Sequence, residues 1–262
     1  MSLEAGSLTT LVSWNVNGIR AVIRKGFWDW LGSSQPDILC LQETRIQDEQ
    51  LTRAMREAAG YHAYWLHAER KGYSGVATFC RQMPLSVRTG FGVPEFDTEG
   101  RVLVSEHPEF TLVNSYVPSG QRGHDRVDYK LRFTDALLEY CSALHEPGRP
   151  VIVCGDFNTA HQPMDLARPN QNKKTSGFLP EEREALARWL ENGFVDSFRA
   201  MHPDEEAYTW WTYRSNARAR NVGWRLDYFL VDEALMPFVQ DACILGDVPG
   251  SDHCPVELKL AL

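Results

Sequence analysis

The chain has 262 residues, 43% of them hydrophobic and 24% charged, with a formal net charge of −8. This length fits one large domain or two small ones, and the composition supplies a sizeable core. The acidic balance argues against a nucleic-acid coat protein, no run approaches the roughly 18 apolar residues of a membrane span, and Met1 to Thr10 lacks the basic and apolar regions of a secretory leader.

Residues 1–9 are expected to form a short extension. A strand is expected over 10–14, running into Asn15-Val16-Asn17-Gly18. Ile23, Phe27, Trp30 and Leu31 then follow the i, i+4, i+7, i+8 spacing of a helix. A strand over 37–41 ends in Gln42-Glu43-Thr44. Further strands are expected over 75–79, 101–105 and 111–116, the last ending at Tyr116. Leu137, Cys141 and Leu144 give a helical face within 128–145. A strand over 150–154 leads into Gly155-Asp156-Phe157-Asn158, which places Asp156 and Asn158 on one side of an extended segment. Pro180 opens a helix with Glu181, Glu182 and Glu184 in its first turn, Leu186, Trp189 and Leu190 on one face, and Gly193 past its end. Asp227 enters a strand over 226–231, and Ser251-Asp252-His253 precedes the last strand, over 255–260. Strands this numerous with interleaved helices predict one α/β domain over 1–262, two packed mixed sheets with helices outside.

The six cysteines, at 40, 80, 141, 154, 243 and 254, form no CxxC pair and are expected to be free thiols in a reducing cytoplasm. Four cationic windows interrupt the acidic chain: Arg20, Arg24 and Lys25; Arg70, Lys71, Arg81 and Arg88; Arg168, Lys173 and Lys174; Arg214, Arg218, Arg220 and Arg225. They suggest one local face for a polyanion.

Asn15, Glu43, Asp156, Asn158, Asp227, Asp252 and His253 all fall at strand ends. A hard cation takes carboxylate oxygens and amide carbonyls while keeping waters. Phosphate-ester hydrolysis needs that cation, a base for water and donors for phosphate oxygens, and this inventory supplies each. No Cys/His cluster has zinc spacing, no G-x-S-x-G elbow is present, and no G-x-x-x-x-G-K-[ST] loop is present.

The segments SWNVNGIRA, LQET, KGYSGVA, NSYVP, CGDFN, NVGWRLDYFL and GSDHCP, in this order, resemble the exonuclease III family of apurinic/apyrimidinic endonucleases, within the endonuclease/exonuclease/phosphatase superfamily, over residues 11–262. The resemblance implies a four-layer α-β-β-α sandwich. It implies Glu43 as the principal Mg²⁺ ligand with Asp252 and Asn15 beside it, and Mn²⁺ as a substitute ion. Asp156 would activate the attacking water or serve the leaving group, and Asn158 would orient that water and the phosphate. His253, oriented by Asp227, would donate to a phosphate oxygen, and Tyr116 would contact the phosphate or the leaving oxygen. Where some members carry an acid this chain has Asn17, which removes one candidate metal carboxylate. Arg20, Lys71, Tyr73, Arg122, Asn172 and Lys173 match positions along the DNA backbone, and Arg214 a position inserted beside the lesion. Trp210, Trp224 and Leu226 match a pocket for a flipped-out abasic sugar, which excludes an intact base by size.

The implied activity is Mg²⁺-dependent hydrolysis of duplex DNA 5′ to abasic sites, giving a 3′-hydroxyl and a 5′-deoxyribose phosphate. Trimming of blocked 3′ ends and 3′→5′ exonuclease action are expected too, by a monomer with no membrane partner. The alternatives are a superfamily phosphoesterase of sphingomyelinase or inositol-phosphate phosphatase type, and a catalytically silent DNA-lesion binder. The KGYSGVA and NVGWRLDYFL segments discriminate against the first, and the intact polar set against the second.

Overall fold

A computed structural model describes residues 7–121, 123–145 and 149–262. Among the described residues twelve strands form two six-stranded sheets: β1 (Leu8–Asn15), β2 (Ile38–Gln42), β3 (His62–Leu66), β4 (Val76–Cys80), β5 (Ser86–Thr89), β6 (Val102–Glu106), β7 (Thr111–Tyr116), β8 (Val151–Asp156), β9 (Phe194–Asp196), β10 (Asp227–Asp232), β11 (Val239–Ile244) and β12 (Val256–Ala261). The first sheet has the order β11-β12-β1-β2-β4-β3 and the second β5-β6-β7-β8-β10-β9. Both are mixed: β1–β2 and β7–β8 run parallel, and the other neighbours antiparallel.

The strands are apolar because both of their faces are covered. In β1, Leu11 faces the other sheet and packs with Cys40, Leu112, Cys154, Phe229 and Leu258. Its neighbours Val12 and Trp14 face outward with Phe27 and Leu31. Helix His124–Leu144 and helix Pro180–Glu191 cover the second sheet through Phe133, Leu137, Leu186 and Trp189. Helices outside two stacked sheets make the expected four layers.

Eight strands match the sequence expectation; β3, β5, β9 and β11 do not appear in it. These four are the edges of the two sheets. Edge strands are short and partly polar because unpaired edges must resist pairing with other chains; β9 has three residues and β5 reads Ser-Val-Arg-Thr. β1 begins at Leu8, two residues ahead of the expected start, because Leu8 pairs with Ala261 of β12. The helix read through Ile23 and Phe27 is two helices, Ile19–Ile23 and Phe27–Ser34, broken at Gly26, whose φ of 97° is left-handed. The cysteines are free, with Cys243 partly exposed and the others buried. No helix among the described residues is long and apolar enough to cross a membrane.

Three strand pairings bring the strand ends together. In the parallel pairs, Asn15 lies opposite Gln42 and Tyr116 opposite Asp156. Antiparallel β10 places Asp227 opposite Asp156. Gly155 permits this: its φ is 137°, and a Cβ there would lie 1.8 Å from the Ser115 carbonyl oxygen. A side chain at 155 would force β7 and β8 apart beside Asp156.

Candidate active site

The first sheet supplies Asn15, Glu43, Asp252 and His253 to one rim, and the second supplies Tyr116, Asp156, Asn158 and Asp227. Between them opens a cleft of about 610 Å³ lined by Glu43, Tyr116, Asp156, Asn158, Asp252 and His253. Asn15 and Asp227 are fully buried behind it.

The carboxylates are held by amides. Asn15 Nδ2 donates to Glu43 Oε2 at 3.1 Å and to Asp156 Oδ2 at 2.9 Å, so one side chain from the first sheet joins carboxylates of both sheets. The Asn15 amide oxygen accepts from the Asn17 backbone N–H at 2.9 Å. Asn158 returns to Asp156 twice, through its backbone N–H (2.8 Å) and Nδ2 (3.1 Å), from a left-handed φ of 50°. Asn17 donates to Asp252 Oδ1 at 2.8 Å and Trp210 Nε1 to Asp252 Oδ2 at 3.2 Å. An acid at 17 would repel Asp252; the amide fixes it.

His253 Nδ1 and Asp227 Oδ2 are 2.8 Å apart, and the Thr209 hydroxyl donates to the same oxygen at 2.6 Å. Nε2 lies 3.9 Å from Asp156 Oδ2. Burial alone would push the imidazole down; the adjacent Asp227 and Asp156 raise it to about 10. Burial pushes Asp156 up to about 7 against the neighbouring His253 charge. Tyr116 is buried, which with the Glu43 charge holds its phenol well above the usual range, while the Arg101 guanidinium 4.6 Å from its ring opposes this.

The residues fit a hard cation. Glu43 and Asp252 are partly exposed oxygen donors facing the cleft, and a carboxylate has lone pairs beyond those the amides occupy. Arg45, which pairs with Glu43, is half-exposed. Asp156, Asp227 and His253 also bring ligand atoms within 4.8 Å of one another.

Beside His253 lies an apolar cluster, of which Trp210 and Leu226 line the cleft. Trp210 and Trp224 meet edge-to-face at 6.5 Å over Leu226, Phe178, Ala160 and Leu166, and the Trp210 ring is 6.5 Å from the His253 ring. Arg225, between Trp224 and Leu226 in the chain, donates to Asp165 at 2.8 Å and to Asp196 at 2.7 Å. Arg225 is therefore core, not part of the cationic face. Arg218 donates to the carbonyls of Gly246, Val248 and Ser251, bracing the segment before Asp252. Arg88 pairs with Glu106 on an edge strand and Arg81 sits on Tyr61. Of the other cationic positions, Lys71 lines the cleft while paired with Glu49, and Arg20, Lys173 and Arg214 are exposed. Tyr73 lines the cleft and accepts from Arg101 and Arg126 at 2.9 and 2.8 Å. Asn172 donates to the Arg168 carbonyl at 2.8 Å. Arg122 lies outside the described residues. Thr209, Arg101 and Arg126 were not separable as site residues in sequence, because each reaches a partner distant in the chain, and Arg45, two residues from its partner Glu43, has no motif of its own.

Oxygen donors for a cation, a buried imidazole–carboxylate pair and a polar cleft at the rim of two stacked sheets define a metal-using phosphoester hydrolase. The chain belongs to the Endonuclease/Exonuclease/phosphatase family, whose model matches residues 12–253. It is similar to the exodeoxyribonuclease of Bacillus subtilis (strain 168), with 52% identity over 250 residues, covering 95% of this chain and 98% of that one. It is also similar to the DNA repair nuclease APEX1 of Danio rerio, with 48% identity over 255 residues, covering 96% and 82%. Among solved structures, an AP endonuclease from Archaeoglobus fulgidus superposes with a TM-score of 0.89 at 30% identity, covering 97% and 100%.

Proposed function

We propose that the protein is a Mg²⁺-dependent DNA-repair phosphodiesterase that cuts duplex DNA 5′ to abasic sites. It leaves a 3′-hydroxyl and a 5′-deoxyribose phosphate, and also removes blocked 3′ ends and 3′-terminal nucleotides. The observation that carries this reading is the apolar, tryptophan-bearing wall of the cleft abutting His253. A phosphate-handling imidazole beside an apolar wall suits a sugar without a base, and the names of the relatives agree with a DNA substrate.

Asp156, with burial bringing it to about 7, takes the proton of the attacking water. Asn158 holds that carboxylate with Nδ2 and leaves its amide oxygen for the water. His253, its Nδ1 committed to Asp227, offers Nε2 to a phosphoryl oxygen. The water oxygen bonds to phosphorus as the bond to the 3′-oxygen breaks, and the protonated Tyr116 phenol donates to that leaving oxygen. A divalent cation bound by Glu43 and Asp252 would supply charge neutralisation at the phosphate and the leaving oxygen. Arg20, Lys71 and Lys173 position the backbone without reading sequence, and Arg214 inserts beside the lesion. A single domain acting as a monomer in a reducing compartment completes the reading.

The test is a Mg²⁺-dependent assay on one duplex carrying a central abasic analogue, beside the undamaged duplex. Incision directly 5′ to the analogue is expected. Cleavage of neither duplex overturns the proposal and favours other phosphoesterase substrates. Asp156→Asn should abolish incision while abasic-DNA binding by fluorescence anisotropy is retained, and normal turnover would remove Asp156 from the chemistry.

A further inference from the structure

We propose that the buried Lys130–Glu182 ion pair is a positioning unit that locks catalytic Asn158 and the tryptophan cluster into one rigid piece, coupling phosphodiester hydrolysis to lesion discrimination. The inference rests on the nuclease reading above.

Lys130 lies in helix His124–Leu144 and Glu182 in the first turn of helix Pro180–Glu191. Their side chains are 2% and 0% exposed, and Nζ to Oε1 is 2.7 Å. Two buried ions are costly, and apolar residues of similar volume often pack at least as stably. Stability alone is a weak reason for the pair. Its contacts give a better one.

The Lys130 ammonium also donates to the Asn158 carbonyl at 2.7 Å. Asn158 is left-handed, a conformation asparagine adopts more readily than most non-glycine residues. A buried cation on its carbonyl holds that peptide, and the same conformation turns Nδ2 and the backbone N–H onto Asp156. Lys130 therefore acts on the Asp156 environment through Asn158.

Glu182 holds the other half. Its carboxylate accepts from the Ser176 hydroxyl at 2.9 Å, the Gly177 N–H at 2.5 Å and the Leu179 N–H at 3.1 Å. Gly177 is wedged between the two functional regions. A Cβ there would lie 3.2 Å from the Asn158 carbonyl oxygen and 3.3 Å from Cζ3 of Trp224. Gly177 also accepts from the Ala160 N–H at 2.8 Å. One carboxylate thus anchors the segment behind Trp224, one ammonium anchors the catalytic asparagine, and the ion pair joins them. Displacement of Trp224 by an intact nucleotide is transmitted to Asn158.

The experiment measures kcat and KM on an abasic duplex, and the rate ratio of abasic to undamaged duplex, for the parent, Lys130→Met, Lys130→Arg, and the double variant Lys130→Met with Glu182→Gln. The double variant removes both buried charges and folds if the lone Met variant does not. Leu137→Ala, in the same helix but in the core, is the control for lost stability alone. Lys130→Met and the double variant should lose about 100-fold in kcat, as expected of misplaced reacting groups, with KM within about threefold and a reduced abasic preference. Lys130→Arg should recover much of kcat. A Lys130→Met or double variant no more impaired than Leu137→Ala overturns the inference while leaving the parent's function intact. A parent inactive on both duplexes overturns the nuclease reading and this inference with it.

Discussion

Asp227→Asn isolates the charge behind the imidazole. Asp227 is 2% exposed, and its Oδ2 serves both His253 Nδ1 and the Thr209 hydroxyl. The amide of asparagine keeps the volume and an acceptor oxygen, so Thr209 and His253 keep a partner, and the fold is retained. The anion that stabilises a protonated ring is lost. A neutral imidazole that donates from Nδ1 has no proton on Nε2, the atom facing Asp156 and the cleft. The hydrogen bond to the phosphoryl oxygen then disappears. A charge-assisted hydrogen bond is worth about 1.5–3 kcal/mol, and at 1.36 kcal/mol per tenfold the incision rate should fall about 10- to 150-fold. Single-turnover incision of an abasic duplex at saturating enzyme measures it, with anisotropy reporting binding. A rate within twofold of the parent would refute the assignment of His253 as the phosphate donor oriented by Asp227.

Three other outcomes are expected. Arg225→Met leaves Asp196 without its guanidinium while Asp165 keeps Arg199; breaking a buried pair costs about 3–5 kcal/mol. At about 2 °C per kcal/mol for a chain of this size, calorimetry should show Tm falling by about 6–10 °C, and an unchanged Tm would remove the network from the support of the fold. Trp224→Ala enlarges the pocket and should raise cleavage of undamaged duplex relative to abasic duplex; an unchanged ratio would mean that size exclusion lies elsewhere. DNA affinity should fall steeply with salt despite the net charge of −8, because binding uses a local cationic face; a flat dependence would contradict that face.

The chemistry was legible in sequence because each polar residue closes an apolar run. Asn15, Tyr116 and Asp156 end strands, and Glu43 follows β2 directly. Runs buried on both faces are also the strongest strand signal, which is why the interior strands were found and the four edges were not. Partners were hidden. Glu182 has the pattern of an acid favourable at a helix N-terminus, and nothing near it in sequence points to Lys130. Arg225 reads as one more cation in a basic window, and only the fold places Asp165 and Asp196 around it. Thr209 has no motif of its own, yet it binds the Asp227 carboxylate.

The order in which the strands enter the two sheets has a consequence for when the protein can act. The first sheet opens with β1 to β4, the chain then builds the whole second sheet, and only β11 and β12 return to complete the first. Asp252 and His253 arrive with β12, which inserts between β11 and β1. A nascent chain that has emerged as far as β10 carries Asn15, Glu43, Tyr116, Asp156 and Asp227, but neither the imidazole nor the second carboxylate. On the proposed mechanism the imidazole donor and the second cation ligand join the site only when β12 enters the first sheet, so a chain stalled after β10 carries an incomplete site.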